Sequence, residues 1–314
     1  MAITKASKQK NKKNMAGVTK DSLFKKSPAY LYILPWVLGF LMFQLYPFIA
    51  SFIYSFTDFS ILKPMTFVGL NNYIKMFTAD RLFWPSLKAT FLYVLIAVPG
   101  KLIFALFIAL VLNMKLKFIN FFRTVYYLPS ILGGSVAISI LWRFLFSRQG
   151  TVNVLLKTLG LPSADWLGSL NLALGTMGLL VVWQFGSSMV LFLAGLKNIP
   201  TELYEAARVD GAGKTRSFFK ITLPLLSPII FFNLIMQTIN AFKEFNAPYL
   251  ITQGGPLNST YLYGMMLYEN AFSFLKMGYA SAQSWVLFII IMLFTALTFK
   301  SSPYWTFYDD GGDF

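Results

Sequence analysis

Polar residues recur on one face of a long apolar stretch near residue 240. Gln237, Asn240 and Glu244 follow one another at three- and four-residue spacing, so a helix would place them on the same face. Amide and carboxylate groups bind hydroxyls, which is the chemistry that a sugar-like solute requires. The same groups also hydrogen-bond to neighbouring helices inside membranes, and this structural alternative stays open for Gln237.

The composition of the chain indicates that lipid is its main solvent. Of 314 residues, 56% are hydrophobic and only 12% are charged, whereas soluble domains carry about 25% charged residues. The sequence contains neither Cys nor His, which excludes disulfides, thiolate chemistry, imidazole bases and ordinary zinc sites. We therefore expect a membrane protein with no catalytic residue and no metal site.

Six stretches are long enough to cross a bilayer, which takes about 20 apolar residues. They are residues 27–57, 89–114, 124–142, 166–196, 221–242 and 277–299. None shows the strict alternation of a barrel strand. The predicted fold class is thus an all-α integral membrane protein with six transmembrane helices.

Lys101 is the charged residue inside these stretches, near the middle of the second. A charge at that depth is costly. We favour a structural explanation, in which the side chain faces water or a partner subunit, or extends its stem towards the interface.

The distribution of Lys and Arg predicts the orientation of the spans. Most of these residues fall in the segment before the first span and in the second-to-third and fourth-to-fifth connections, which are therefore expected on the cytoplasmic side. The predicted organisation is a basic cytoplasmic tail (1–28), a transmembrane domain (29–300) and a cytoplasmic C-terminal tail (301–314). The Lys-rich tail is interpreted as a topology signal that touches anionic membrane lipid, with no role in binding nucleic acid.

The connection over residues 197–221 predicts a short helix that projects from the membrane. Thr201 is placed to cap it, and Glu202 and Glu205 lie in its first turns, where the helix dipole favours acids. Gly211 and Gly213 then end the helix. Its small apolar face consists of Leu203, Ala206 and Ala207. From the pattern alone, an ordinary amphipathic connector fits about equally well.

The residues of this connection resemble the EAA loop of permease subunits in binding-protein-dependent ABC importers. The match begins at Glu205-Ala206-Ala207 and extends through Asp210-Gly211 to Pro224 and Pro228. In that family the loop is the coupling helix, which sits in a cleft of the cytoplasmic ATPase. The resemblance implies that the chain is coupled to an ATPase through Glu205, Ala206, Ala207, Asp210 and Gly211.

A second motif in the connection is a false lead. Gly213-Lys214-Thr215 looks like the end of a phosphate-binding loop, but Arg208 stands where that loop requires glycine. A helix is also predicted where the motif needs a preceding strand. We therefore expect no cofactor in this chain, with ATP and Mg²⁺ bound by the partner ATPase.

Other segments resemble the carbohydrate-uptake, maltose-type branch of this family, and in particular the first of its two unlike pore subunits. They are residues 55–58, 67–73, 123–129, 245–256 and 277–280. The resemblance implies a type I ABC-importer permease fold in the bacterial cytoplasmic membrane. It also implies a heterodimer with a second permease subunit, two ATPase subunits, an extracellular or periplasmic solute-binding protein and a saccharide substrate.

The resemblance also suggests which residues line the pathway. The sugar-contacting positions of the maltose-type subunit resemble Ser130, Gly134, Gln184, Phe185, Ser188, Gln237, Ala241 and Glu244 here. Where the maltose-type motif has asparagine, this chain has Lys243-Glu244. We hypothesise that this pair caps the outer cavity and favours a different saccharide. The extra N-terminal spans and large external domain of the maltose-type subunit have no counterpart in this sequence.

Two other functional classes were weighed against a pore subunit. A secondary transporter usually needs paired acids inside the membrane, whereas Glu244 lies at the outer end of a span. An intramembrane enzyme would need catalytic groups, and the chain offers no His, no Cys and no close acid pair.

Overall fold

The structure, a computed structural model, describes residues 27–114 and 117–307, which divide into two compact units at residue 53. Most of the predicted basic tail, residues 1–26, lies outside the described residues, as does the end of the predicted C-terminal tail, residues 308–314.

A single apolar helical run contains the predicted first span. It consists of α1 (Ser27–Phe40), a π-helical segment (Leu41–Leu45) and α2 (Tyr46–Ser55). Within it, Tyr32–Ser55 is long and apolar enough to cross a membrane. The Trp36 and Phe40 rings stack one turn apart, with centroids separated by 5.7 Å.

The second unit is also helical. Its helices are α3 (Asn71–Thr78), α4 (Phe83–Asn113), α5 (Ile119–Leu132), α6 (Val136–Leu145), α7 (Thr151–Thr158), α8 (Ala173–Trp183), α9 (Gly186–Asn198), α10 (Thr201–Val209), α11 (Lys214–Ser217), α12 (Leu223–Phe242), α13 (Tyr263–Tyr268) and α14 (Met277–Ser301). Three π-helical segments extend these helices: Phe218–Thr222, Pro248–Thr252 and Glu269–Ser273. Over the described ranges, β-structure is limited to two isolated bridges.

The number of helices that can cross a membrane agrees with the six predicted spans. Four are long and apolar enough on their own: Tyr32–Ser55, Phe83–Asn113, Lys214–Phe242 and Met277–Tyr304. Two bent pairs, α5 with α6 and α8 with α9, pass the same test together. Counting each pair as one span gives six in the part of the chain that the structure describes, and the predicted all-α class is confirmed.

The third and fourth predicted spans are each bent in the structure, which the apolar stretches alone do not indicate. The axis bends by 101° between α5 and α6 and by 48° between α8 and α9. Gly133-Gly134 ends α5, and the Ser135 hydroxyl then accepts a hydrogen bond of 3.3 Å from the Ile138 amide to cap α6. In the fourth span, the regular helix is interrupted at Gln184 and Phe185.

Helix α4 lies at the centre of the second unit and packs against α8, α9 and α12. At 31 residues it is about 46 Å long. Ala97, Ala105 and Ala109 are fully buried along it, because small side chains let neighbouring helices approach closely. Lys101 lies on this alanine-rich face.

Helix α12 contains Pro228, whose nitrogen cannot donate to the carbonyl of Pro224 four residues earlier. The Ser227 hydroxyl donates to that carbonyl instead, at 2.6 Å. The Phe307 amide in turn donates to the Ser227 oxygen at 2.8 Å. The first part of the predicted C-terminal tail therefore packs against the start of α12.

Candidate functional site

A cavity of about 160 Å³ lies among α4, the end of α8 and the last turns of α12. Its lining residues are Tyr93, Val98, Lys101, Val181, Gln184, Gln237, Asn240, Ala241 and Glu244. The structure thus brings together Gln184, Gln237, Asn240 and Glu244, four of the residues that the sequence analysis placed in the pathway. These four residues come from the fourth and fifth spans, and the second span completes the lining with Tyr93, Val98 and Lys101.

The helical register of α12 explains why its polar residues converge. Gln237 and Ala241 lie one turn apart on α12, Asn240 is next to Ala241, and Glu244 follows about one turn later, two residues beyond the end of the helix. Gln237 is half-buried and Asn240 is exposed. This face therefore presents two amides to the cavity.

Lys101 also belongs to this cavity. Its side chain is only 7% exposed, and its Nζ donates to Gln237 Oε1 at 2.9 Å. A structural role was the expectation for Lys101, which was not among the predicted pathway residues. The sequence did indicate that Lys101 faces other helices. It lies four residues from both Ala97 and Ala105, on a face of small residues of the kind that packs against neighbouring helices.

Tyr93 is a cavity residue that the sequence analysis missed. The side chain is fully buried, and within the described part of the chain its hydroxyl has no hydrogen-bond partner. A buried polar group without a partner carries a free-energy cost of about 1–3 kcal/mol. A hydroxyl that lines a cavity can recover that cost by bonding to a solute or to water.

Glu244 performs a local structural task at the edge of the cavity. Its Oε1 accepts from the backbone amides of Phe245 and Ala247, at 3.1 and 3.0 Å. The carboxylate thereby caps the short helical segment that begins at residue 246. Its neighbour Lys243 is exposed and does not line the cavity.

Ser130 and Gln184 hold the two bent spans together. The Ser130 hydroxyl donates to the Gln184 carbonyl oxygen and accepts from the Ser187 amide, both at 3.0 Å. Gln184 Nε2 donates to the Gly133 carbonyl oxygen at 2.8 Å. Both hydrogen-bonding capacities of Ser130 are therefore used between helices, and this residue lies outside the cavity.

Three further predicted positions also lie outside the cavity. Phe185 is 5% exposed and packs edge to face against Phe104, with ring centroids 4.9 Å apart. Ser188 is fully buried, and in the described portion of the chain its hydroxyl has no partner. Gly134 has no heavy atom within 4 Å of the position of a Cβ. The assignment of these residues to the substrate pathway stays a prediction.

The predicted coupling helix is present as α10. Glu205 and Ala206 are exposed, Ala207 is half-buried, and Val209 is 89% exposed despite being apolar. Glu202 and Arg208 lie in the first and last turns, where their charges complement the helix dipole. Much of α10 is therefore a free surface of the isolated subunit.

Gly211 ends α10 in the way that the sequence predicted. Its φ of +76° lies in the left-handed region that glycine adopts most readily. Asp210 precedes it as the exposed C-cap residue. The prediction that Thr201 caps the start of α10 is wrong, because Thr201 is the first helical residue and no side chain caps the preceding Pro200 position.

Tyr204 connects α10 to the start of the fifth span. Its hydroxyl lies 2.9 Å from the hydroxyl of Thr222, which is buried at the end of the π-helical segment Phe218–Thr222. The Ala212 amide also donates to the Ala207 carbonyl oxygen at 2.8 Å, which closes the turn after α10. The short helix is therefore tied to the span that contributes Gln237 and Asn240.

An ion pair outside the spans stabilises the connection between α6 and α8. Arg148 Nε donates to Asp165 Oδ2 at 3.0 Å. The Arg148 guanidinium holds the pKa of the Asp165 carboxyl below its ordinary value. Both groups are far along the chain from the cavity residues, so this pair organises a loop.

Residues 90–301 match the family described as binding-protein-dependent transport system inner membrane component. The probable ABC transporter permease protein YesP of Bacillus subtilis is 49% identical over 300 residues, which cover 95% of this chain and 96% of YesP. SmoG of Agrobacterium fabrum, a sulfoquinovosyl glycerol transport system permease protein, is 40% identical, with 86% of this chain and 88% of SmoG covered.

A solved structure has the same fold. It is a crystal structure of a bacterial alginate ABC transporter in complex with an alginate pentasaccharide-bound periplasmic protein. One of its chains superposes with a TM-score of 0.77 at 20% identity, with 90% of this chain and 96% of that chain covered. The predicted ABC-importer permease fold is confirmed. The chain belongs to the inner membrane components of binding-protein-dependent transport systems, as a multi-pass permease subunit that is not itself an enzyme.

Proposed function

We propose that this chain forms one half of the pore of an ATP-driven importer that carries a saccharide across the bacterial cytoplasmic membrane. The observation that carries the proposal is the layout of the helical run Lys214–Phe242. One end of the run bears Thr222, the contact to α10, and the other end contributes Gln237 and Asn240 to the cavity. A single span thus connects a surface suited to an ATPase with a site suited to a solute.

The chemistry of the cavity supports a saccharide as the transported solute. Gln184, Gln237 and Asn240 supply amides, and Tyr93 supplies a hydroxyl. These groups both donate and accept hydrogen bonds, as a ring with many hydroxyls requires. SmoG, whose alignment covers 86% of this chain, is named for the transport of a sugar glycoside.

Energy enters through α10 in this proposal. Two ATPase subunits bind ATP and Mg²⁺, and this chain holds no cofactor. Closure of the ATPases moves α10, and the Tyr204 contact passes the motion to Thr222 and α12. The cavity then changes the side of the membrane to which it opens. Glu205 and Asp210 anchor and shape α10, while Gly211 permits the turn that follows it.

The remaining parts of the assembly follow from the same mechanism. Both termini and α10 face the cytoplasm, and a second permease subunit supplies the other half of the pore. A solute-binding protein on the outer side delivers the saccharide. The exposed apolar residues of the spans contact lipid or the second permease, and nucleic acid has no part in the function.

Purification and transport together test this proposal. The chain, isolated from its native membrane in mild detergent, should bring with it a second permease and a nucleotide-hydrolysing subunit. The complex in vesicles should take up saccharide only with ATP and the binding protein present. Uptake that continues without any ATPase, driven by an ion gradient, would contradict the proposal.

A further inference from the structure

Lys101 is a buried cation that lacks an anionic partner in the structure. Over residues 27–114 and 117–307, the ion pairs within 4.0 Å are Arg148–Asp165 and Arg208–Glu205. Lys101 instead contacts the neutral amide oxygen of Gln237. Buried charges in membranes are normally paired, and those that face a cavity usually serve a substrate or an ion pathway.

Glu244 does not supply the missing partner. It lines the same cavity, but its Oε1 is taken up by the amides of Phe245 and Ala247. It forms no ion pair with Lys101 within 4.0 Å in the described ranges. One carboxylate oxygen therefore serves the turn at residues 245–247, and the charge of Glu244 acts on Lys101 only from beyond ion-pair distance.

Several hydrogen-bond donors line the cavity around Lys101. An ammonium group has three N–H donors, and the structure uses one of them, on Gln237. That bond occupies the oxygen of Gln237 and leaves its amide N–H groups facing the cavity. The Tyr93 hydroxyl has no partner, and the Asn240 amide is exposed. Such a set of donors around one cation is suited to an anionic group, because charge-assisted hydrogen bonds are stronger than those between neutral groups.

We propose that Lys101 makes the cavity selective for saccharides that carry a negative charge, in the form of a carboxylate or a sulfonate. Lys101 and Tyr93 bind the anionic group, and Gln237 positions the ammonium. The amide of Asn240 is then free for the hydroxyls of the same sugar. This inference rests on the proposed transport of a saccharide and names the chemical class of that saccharide.

A simpler role for Lys101 leads to a different expectation. If the hydrogen bond to Gln237 only fastened α4 to α12, its loss would weaken the fold and affect every solute alike. Selectivity by charge requires a loss confined to acidic solutes. The two roles therefore separate in a comparison of acidic and neutral probes.

The experiment uses the complete transport complex and matched disaccharide probes. Cellobiose and cellobiouronate differ in one primary alcohol replaced by a carboxylate, and galactobiose and digalacturonate differ in the same way at both rings. Binding is measured by calorimetry on the detergent-solubilised complex without the binding protein, so that the pore alone selects. ATP-dependent uptake is measured in vesicles with the binding protein present.

Three variants isolate the charge. Lys101→Gln removes it and keeps polarity, Lys101→Arg retains it, and Lys88→Gln removes a charge from an exposed position of the same helix. We expect the unaltered complex and Lys88→Gln to bind an acidic probe about tenfold or more tightly than its neutral counterpart. Lys101→Gln should abolish that preference by weakening acidic binding far more than neutral binding, and Lys101→Arg should retain most of it.

Each other outcome is decisive. A preference for acidic probes that survives Lys101→Gln overturns the inference, as does an equal loss for both members of a pair. If the unaltered complex shows no preference for acidic probes, the inference about Lys101 is overturned. If that complex still takes up neutral sugars with ATP, the proposed function stands. If the complex takes up no probe of either kind in the presence of ATP, the proposed function itself fails.

Discussion

The hydroxyl of Tyr204 lies 2.9 Å from the hydroxyl of Thr222, across 18 residues of chain. The first belongs to an exposed helix and the second to the buried start of a membrane span. A neutral hydrogen bond of this kind contributes about 1 kcal/mol. The pair is the side-chain link between the surface proposed for the ATPase and the span that lines the cavity.

Removal of the Tyr204 hydroxyl should loosen the link between ATP hydrolysis and uptake. In Tyr204→Phe we expect a severalfold lower ratio of sugar transported to ATP hydrolysed, with normal amounts of protein in the membrane. Thr222→Ser keeps the hydroxyl and should behave normally. Tyr304→Phe alters an exposed tyrosine and controls for the loss of a phenol. A normal ratio in Tyr204→Phe would show that the contact transmits nothing.

Gly186 allows α9 to approach α5 closely. A Cβ at this position would lie 2.8 Å from Ser130 Oγ, the Tyr126 carbonyl oxygen and Tyr127 Cα. Two of these atoms belong to backbone that cannot move aside cheaply, so Gly186→Ala should destabilise the subunit by about 1–3 kcal/mol. Thermal unfolding in detergent would measure this loss of stability. Gly175→Ala on α8 is the matched control, because no heavy atom lies within 4 Å of its Cβ position.

Gly211 is required because of its backbone conformation, since a side chain at this position would meet no neighbouring atom. Its φ is +76°, and no heavy atom lies within 4 Å of a Cβ there. Gly211→Val should cost about 1–2 kcal/mol in the turn and redirect α10. We expect normal insertion with ATP hydrolysis uncoupled from uptake.

Gly213 provides the control for this effect, since it is equally open but has φ of −71°. Gly213→Ala should couple normally. Glu205→Lys should uncouple as Gly211→Val does, by reversing the charge on the exposed face of α10. Full coupling in both Glu205→Lys and Gly211→Val would argue strongly against α10 as the site of ATPase contact.

The two tasks of Glu244 can be separated. Glu244→Gln keeps an oxygen for the amides of Phe245 and Ala247 and removes the charge. Glu244→Ala removes both and should cost about 1 kcal/mol in thermal stability through the lost cap. We expect Glu244→Gln to fold normally but to change the uptake rate or the choice of saccharide at least severalfold. Unchanged uptake and selectivity in that variant would remove Glu244 from the pathway.

The sequence was sufficient for the parts of the fold that hydropathy controls. The unbroken runs Phe83–Asn113, Lys214–Phe242 and Met277–Tyr304 overlap the predicted spans, because a membrane permits few alternatives to long apolar helices. The bends at Gly133 and Gln184 were missed. Neither interrupts the apolar character of its stretch, and glycine and glutamine are both tolerated within straight membrane helices.

The residue pattern alone predicted the candidate site where polar residues recur at helical spacing, and the family resemblance added Gln184. Gln237, Asn240 and Glu244 met that condition, and they line one cavity. Lys101 and Tyr93 come from another span, and the side of α4 that they occupy depends on which helices pack against it. Phe185, which the family resemblance placed in the pathway, packs against Phe104 and lies outside the cavity, so its role in the pathway stays a prediction.

Pro228 would ordinarily make α12 flexible, because a proline removes one backbone hydrogen bond of the helix. The Ser227 hydroxyl donates to the carbonyl that Pro228 leaves free, and the Phe307 amide donates to the Ser227 oxygen. Under the proposed function, a motion at Thr222 has to pass this proline position before it reaches Gln237, about four turns away. Phe307 thus packs at the proline position of α12, and we expect the loss of this contact to make the helix more flexible there.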